Sequence, residues 1–280
     1  MQEVKIYNLV RHVIEILTFH IRFRMLSMPH VDCILTTSIL IFMDGTYTMV
    51  MNNKIRLSVT ALLFLFASVI QAETTKPNLW EEAIAQFEQQ DREQFPPGNA
   101  ILFVGSSSIK MWKTLAEDFA PLTVINRGFG GSRIEDSIHF ADRIIIPYRP
   151  SAIVLYAGDN DIAAGKTPET VFRDFRRFTE VVRAGLPQTP VLFLSIKPSP
   201  SRWTMWRDMK KANGLIEQYS RSREGIEFID VSTPMLDENG VVRPELFLDD
   251  KLHINADGYR LWTTIIRPRL DALSLTRKRK

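Results

Sequence analysis

The segment AILFVGSSS, residues 100–108, joins a short apolar run to a serine-rich turn. Similar apolar runs recur along the chain: LTVIN (122–126), SAIVLYA (151–157), PVLFLSI (190–196) and IEFIDV (226–231). Runs that are apolar throughout predict strands buried on both faces, as in parallel sheets. Helical spacing occurs near residues 77–94, 107–117, 134–146, 168–185, 203–222 and 257–274. The sequence therefore predicts an α/β protein, a three-layer α/β/α sandwich around a five-stranded parallel sheet.

The N-terminal part has the pattern of an export signal. Lys54 and Arg56 precede an apolar stretch over residues 59–70, and Ala72 offers a small residue for cleavage. Because this stretch is short for a bilayer span, residues 51–72 are predicted to be a signal peptide, with an uncleaved anchor as the alternative. Residues 1–50 are interpreted as an overlong start or a disordered leader, or else as a further membrane-associated helix. The predicted mature protein is a single domain over residues 73–280, exported to the periplasm or secreted.

Composition limits the function of the predicted mature part. Residues 73–280 lack cysteine, which excludes disulfides and thiolate metal sites there. They hold 29 Lys and Arg against 28 Asp and Glu, and four of these cations form the tail at residues 277–280. This balance provides no basic face for nucleic acid, so no nucleic-acid partner is predicted. The oligomeric state is not predicted.

Polar segments follow most of the predicted strands. They are GSSS (105–108), NRGFGGSR (126–133), GDND (158–161) and, after a loop, DKLH (250–253). In a parallel sheet, the residues that follow the carboxyl ends of the strands meet at one edge, where ligands bind. We therefore expect these four segments to form one site.

The residue types in these segments suit acyl transfer. A serine hydroxyl is a weak nucleophile that needs an adjacent base, and His253 is the obvious base. Asp250, three residues earlier, could accept a hydrogen bond from the other ring nitrogen. Backbone N–H groups of a glycine-rich turn and an asparagine amide could bind an oxyanion, roles that Gly131 and Asn160 fit. The residues alone leave open which serine of the GSSS turn reacts.

Serine, glycine, asparagine and histidine in four blocks, in this order, resemble the SGNH or GDSL-type esterases and lipases. The resemblance covers nearly all of residues 98–270, and the branch is similar to bacterial acylhydrolases related to the platelet-activating-factor acetylhydrolase subunits. It implies a flavodoxin-like fold and no cofactor or metal. It also implies Ser107 as nucleophile with Asp250 and His253 as its partners, and an oxyanion hole formed by the Ser107 and Gly131 N–H groups and the Asn160 amide.

Ser106 stands where the family pattern has an aspartate, so the hydrogen bonding of the turn should differ. This departure motivates a second hypothesis of a different class. In it, the chain is a noncatalytic or weakly catalytic carbohydrate-binding protein of the periplasm on the same scaffold.

Several other readings compete at individual residues. A serine-rich turn can simply cap a helix, and Asp250 with His253 could be metal ligands, although a catalytic zinc usually has three protein ligands. The NRGFGG segment could bind phosphate, but it lacks a P-loop or dinucleotide fingerprint. His139, in a helical run, is predicted to be a surface or half-buried residue rather than a second base. Trp203 and Trp206 are predicted to pack, with the wall of an acyl pocket as the alternative. Arg133 and Arg202 are predicted to be solvated, with binding of an anionic group on the substrate as the alternative.

Together these observations favour an exported, cofactor-independent serine esterase. It would cleave carboxylic esters through an acyl-enzyme, with short acyl or acetyl groups on lipids or carbohydrates as substrates. No membrane span is expected in the mature protein.

Overall fold

A computed structural model describes residues 80–278 of the chain, with side chains described as far as residue 275. The leader and the signal peptide that we predict for residues 1–72 lie outside the described residues.

The centre of the fold is one sheet of five strands. They are β1 (Ile101–Gly105), β2 (Val124–Gly128), β3 (Ala152–Tyr156), β4 (Val191–Leu194) and β5 (Ile226–Ile229). All neighbouring strands are parallel, and their order is β2-β1-β3-β4-β5. This order is that of a doubly wound sheet whose chain direction switches between β1 and β3. The predicted five-stranded parallel sheet is confirmed.

The sheet is covered on both faces because successive residues of each strand point to opposite sides. On one face, Leu102 belongs to a core that includes Phe175 and Ile216. On the other, Phe103 belongs to a separate core that includes Trp262. Two cores on opposite sides of one sheet make the three predicted layers.

The helices around the sheet are α1 (Glu81–Glu93), α2 (Ser107–Lys110), α3 (Leu115–Asp118), α4 (Ile134–His139), α5 (Ala141–Ile144), α6 (Asp159–Ala163), α7 (Pro168–Gly185), α8 (Trp206–Arg221) and α9 (Ala256–Lys278). Helix α7 has the predicted bounds, and it begins after Thr167, whose hydroxyl accepts a hydrogen bond from the Thr170 N–H at 3.2 Å. Within residues 80–278, no helix combines the length and apolar composition needed to cross a membrane.

Two predicted helices are interrupted. The segment predicted as one helix over 134–146 divides at Phe140, whose ring is buried and meets Phe129 edge-on at 6.0 Å. The segment predicted over 107–117 divides near Trp112, which is buried and donates to the Asp118 carboxylate at 2.6 Å. In both places the helix is interrupted where an aromatic ring is buried. The helical spacing of apolar residues does not indicate such an interruption.

Gly105 ends β1 and turns the chain toward the predicted site. Its φ is +134°, and a Cβ at this position would lie 1.9 Å from the Tyr156 carbonyl oxygen. Only glycine accepts both the dihedral and the close approach. The sharp turn that follows places the three serines at the carboxyl edge of the sheet.

Candidate active site

Ser107 is the serine of the GSSS turn that the structure brings to His253. Its Oγ lies 3.0 Å from His253 Nε2, although the two residues are 146 positions apart in sequence. Ser106 and Ser108 are buried, whereas Ser107 is half-buried. Helix α2 begins at Ser107, so its hydroxyl projects from the first turn toward the loop that carries His253.

Asp250 holds His253 through a compact local turn. Asp250 Oδ2 lies 2.5 Å from His253 Nδ1, and Oδ1 accepts hydrogen bonds from the N–H groups of Leu252 and His253, both at 2.9 Å. The turn requires a left-handed Lys251, with φ of 58°. The hydrogen bond from His253 lowers the pKa of Asp250 to about 2. The carboxylate is therefore charged at neutral pH and fixes the orientation of the imidazole.

Ser106 occupies the position at which the pattern described above has an aspartate. Its Oγ is buried and has no hydrogen-bond partner among the described residues. The backbone shapes the turn instead: the Ser106 N–H donates to the Tyr156 carbonyl at 2.9 Å, and its carbonyl accepts from the Lys110 N–H at 3.1 Å. The turn thus forms without a side-chain hydrogen bond from Ser106.

The predicted oxyanion donors lie on neighbouring loops. In the part of the chain that the structure describes, the N–H groups of Ser107 and Gly131 donate to no protein acceptor. Gly131 is exposed and left-handed, with φ of 79°. Asn160 Nδ2 donates to the carbonyl of Ser132, the residue after Gly131, at 3.1 Å. The second and third polar segments are therefore in direct contact.

The loop after β4 also reaches this edge, which sequence reasoning did not anticipate. Arg202 Nη1 donates to Asp159 Oδ2 at 2.9 Å and Nη2 to Asn160 Oδ1 at 3.0 Å. The preceding residue, Ser201, donates its N–H to the Lys251 carbonyl at 3.0 Å, beside the His253 turn. The prediction that Arg202 is solvated is wrong, because its guanidinium is bound on both sides. The sequence does contain one indication of this contact: Arg202 is a cation in the segment after β4, the strand that pairs with β3.

The remaining candidate side chains are placed as follows. Trp206 is half-buried and packs against the core as predicted, whereas Trp203 is 36% exposed and stacks on Trp206 with ring centroids 6.4 Å apart. Arg133 is partly exposed beside Glu135, and His139 is exposed at the end of α4. Among residues 80–278, no three His, Cys, Asp or Glu side chains form a group that could hold a metal ion.

A buried ion network supports the loop that carries Asn160. Asp161 is fully buried, accepts from the Ile134 N–H at 3.3 Å and pairs with Lys166 at 3.0 Å. Lys166 also pairs with Asp174 at 2.8 Å and Glu135 at 3.1 Å. Burial raises the pKa of Asp161 to about 6, against the opposing effect of Lys166. The network joins the third polar segment to the start of α4.

This raised pKa predicts a pH dependence of stability. Because the folded pKa is above the ordinary value, Asp161 favours folding below about pH 4, and this contribution disappears as the pH rises through 6. Replacing Asp161 with asparagine removes the titration. The free energy of unfolding of Asp161→Asn, relative to wild type, should rise by about 2 kcal/mol between pH 4 and pH 8. Urea denaturation across this range measures the difference, and a constant difference would contradict the buried ionisation.

Comparison with known proteins places the chain in a family. The model of the GDSL-like lipase/acylhydrolase family matches residues 103–261. None of the curated proteins is similar enough in sequence to give a match.

Solved structures share the fold. A structure from Streptococcus pneumonia, whose name refers to platelet activating factor, has a TM-score of 0.61 and 19% identity, over 76% of this chain and 99% of its own. A GDSL-like lipase from Bacteroides thetaiotaomicron has a TM-score of 0.58 and 21% identity, over 68% and 97%. A family 3 carbohydrate esterase from Clostridium thermocellum has a TM-score of 0.51 and 15% identity, over 64% and 99%. At these identities the likeness is one of fold.

Proposed function

Since this chain belongs to the GDSL-like lipase/acylhydrolase family, as its sequence predicts, we propose that it is a carboxylic ester hydrolase that forms an acyl-enzyme at Ser107. The observation that carries the proposal is the continuous hydrogen-bond series from Asp250 through His253 to Ser107. A carboxylate, an imidazole and a hydroxyl in this order are the parts that activate a serine.

The proposed reaction begins with the tautomer that Asp250 selects. With the Nδ1–H donating to Asp250, Nε2 of His253 is free to accept the proton of Ser107 Oγ as it attacks the ester carbonyl. The carbonyl oxygen becomes an oxyanion, for which the N–H groups of Ser107 and Gly131 and the amide of Asn160 are the candidate donors. His253 then protonates the leaving alcohol, and the acyl group stays on Ser107.

Hydrolysis of the acyl-enzyme reverses these roles. A water molecule donates its proton to His253 Nε2 and attacks the acyl carbonyl. The carbonyl oxygen again becomes an oxyanion, facing the same candidate donors. Collapse releases the carboxylic acid and returns the proton from His253 to Ser107. No cofactor is needed at any step of this proposal.

The proposed substrates are short acyl or acetyl esters of lipids or carbohydrates. The family name covers lipases and acylhydrolases, and carbohydrate esterases share the fold. We also propose that the protein is exported after cleavage behind Ala72, because residues 51–72 have the pattern of a signal peptide. Mass spectrometry of secreted protein should then find Glu73 at the N-terminus.

A fluorophosphonate probe tests the proposed activity and separates it from the alternative of a noncatalytic carbohydrate-binding protein. An esterase of this kind should be labelled at one serine, Ser107, and should hydrolyse a panel of esters with a preference for short acyl groups. A binding module on the same scaffold would not be labelled. Absence of both labelling and turnover in folded protein would reject the esterase proposal.

A further inference from the structure

Asn160 has its amide fixed from both ends. An arginine side chain only donates hydrogen bonds, so the atom that Arg202 Nη2 binds at 3.0 Å must be the amide oxygen. A backbone carbonyl only accepts, so the atom 3.1 Å from the Ser132 carbonyl must be the amide nitrogen. The two neighbours therefore agree on one orientation, with the nitrogen on the side of the Gly131 turn.

The orientation of the Asn160 amide affects the proposed reaction because only its nitrogen can donate a hydrogen bond to the oxyanion. A half-turn of the Asn160 amide would exchange its oxygen and nitrogen, and the oxygen would then face the developing oxyanion. One N–H of the amide is used by Ser132, which leaves the other for the substrate oxygen. Preorganised donors of this kind contribute because they need no rearrangement when charge develops.

Arg202 is itself held by a buried charge cluster. Its side chain is 18% exposed and pairs with Asp159, whose side chain is 6% exposed. Lys197, with a side chain 1% exposed, approaches the same carboxylate oxygen of Asp159 at 3.7 Å. Burial lowers the pKa of Lys197. Arg202 is thus the charged partner of Asp159 in direct hydrogen-bond contact, and its other arm is committed to Asn160.

We propose that Arg202 is a positioning residue for the oxyanion hole, which acts by holding the Asn160 amide with its N–H directed toward the substrate. The role rests on the proposed esterase function. It assigns to the loop after β4, which none of the four polar sequence segments includes, a part in transition-state binding.

A double-mutant cycle on the full chain tests this role. Asn160→Ala should lower kcat by about 10²–10³-fold, and Arg202→Met by about 10–100-fold through misplacement of the donor, with KM for p-nitrophenyl acetate unchanged in both. In the Asn160→Ala background, the further replacement of Arg202 should have no effect. Equal losses from Arg202→Met in both backgrounds would show that Arg202 does not act through Asn160, and would overturn the proposal.

Two further variants separate positioning from stability. Arg207→Met removes the same charge five residues away, where the side chain is 95% exposed, and should leave kcat unchanged. If Arg202→Met fails to fold, Arg202→Lys keeps a positive charge beside Asp159 but lacks the fork that bridges both oxygens. It should show a smaller loss of kcat that again vanishes with Asn160→Ala.

A spectroscopic measurement distinguishes failure of this inference from failure of the esterase proposal. The side-chain amide signal of Asn160 in NMR spectra, assigned by its absence in Asn160→Ala, should show slow proton exchange in wild type and faster exchange in folded Arg202→Met or Arg202→Lys. An unchanged Asn160 signal would overturn the positioning role even in an inactive protein. Wild-type inactivity with the expected change in exchange would reject only the esterase function.

Discussion

Replacing Ser107 with alanine should lower kcat for p-nitrophenyl acetate on the order of 10⁵–10⁶-fold and abolish labelling by a fluorophosphonate. The reason is that no other hydroxyl is hydrogen-bonded to His253 in the described structure, so no other group is activated for attack. The fold should survive, because Ser107 is half-buried and the hydrogen bond of its hydroxyl is to His253. Steady-state kinetics beside a thermal melt would measure both effects.

The neighbouring serine supplies the matched control. Ser106→Ala removes a buried hydroxyl that has no hydrogen-bond partner among the described residues, so stability should be equal to wild type or slightly higher. Turnover should persist in this variant. Undiminished turnover in Ser107→Ala, or its loss in folded Ser106→Ala instead, would place the nucleophile elsewhere.

Replacing Asp250 with asparagine should lower kcat on the order of 10⁴-fold while leaving the loop intact. The asparagine oxygen can still accept the N–H groups of Leu252 and His253, as Oδ1 of Asp250 does. Its amide nitrogen would then face His253 Nδ1 and favour the tautomer with the proton on Nε2. That tautomer cannot take the proton of Ser107.

Asp249 is the control for this replacement, since it is an exposed carboxylate one position earlier. Asp249→Asn should keep wild-type kcat. A similar loss in both variants would point to the net charge of the loop, and full activity of Asp250→Asn would remove the carboxylate from the mechanism.

The lowered pKa of Asp250 also fixes the pH range in which its charge is present. The folded pKa of about 2 lies below the ordinary 3.8, so the stabilising contribution is present above about pH 4 and is lost as the pH falls toward 2. The difference in free energy of unfolding between wild type and Asp250→Asn should therefore narrow below pH 4. The side chain is 47% exposed, so solvent screening keeps this effect small.

The sequence determined the architecture because its signals are local. The three inner strands, β1, β3 and β4, are buried on both faces, so each is a continuous apolar run such as SAIVLYA. In a parallel sheet the residues after β1, β2 and β3 must lie at one edge, so their proximity could be predicted from the strand directions alone. For the same reason Asp250 and His253, three residues apart, could be matched as a hydrogen-bonding pair.

Two features of the site could not be predicted from the sequence because they depend on the path of the backbone: which serine meets His253, and the contact of Arg202 with Asn160. The sequence does not distinguish three consecutive serines from one another. In the folded chain, the turn at Gly105 directs Ser107 toward His253, while Ser106 and Ser108 are buried. The contact of Arg202 with Asn160 joins residues 42 positions apart. Arg202 lies in the short 3₁₀ helix Pro200–Met205, where its own backbone departs from helical dihedral angles. Dihedral angles and long-range hydrogen bonds have no local pattern, so these features required the folded chain.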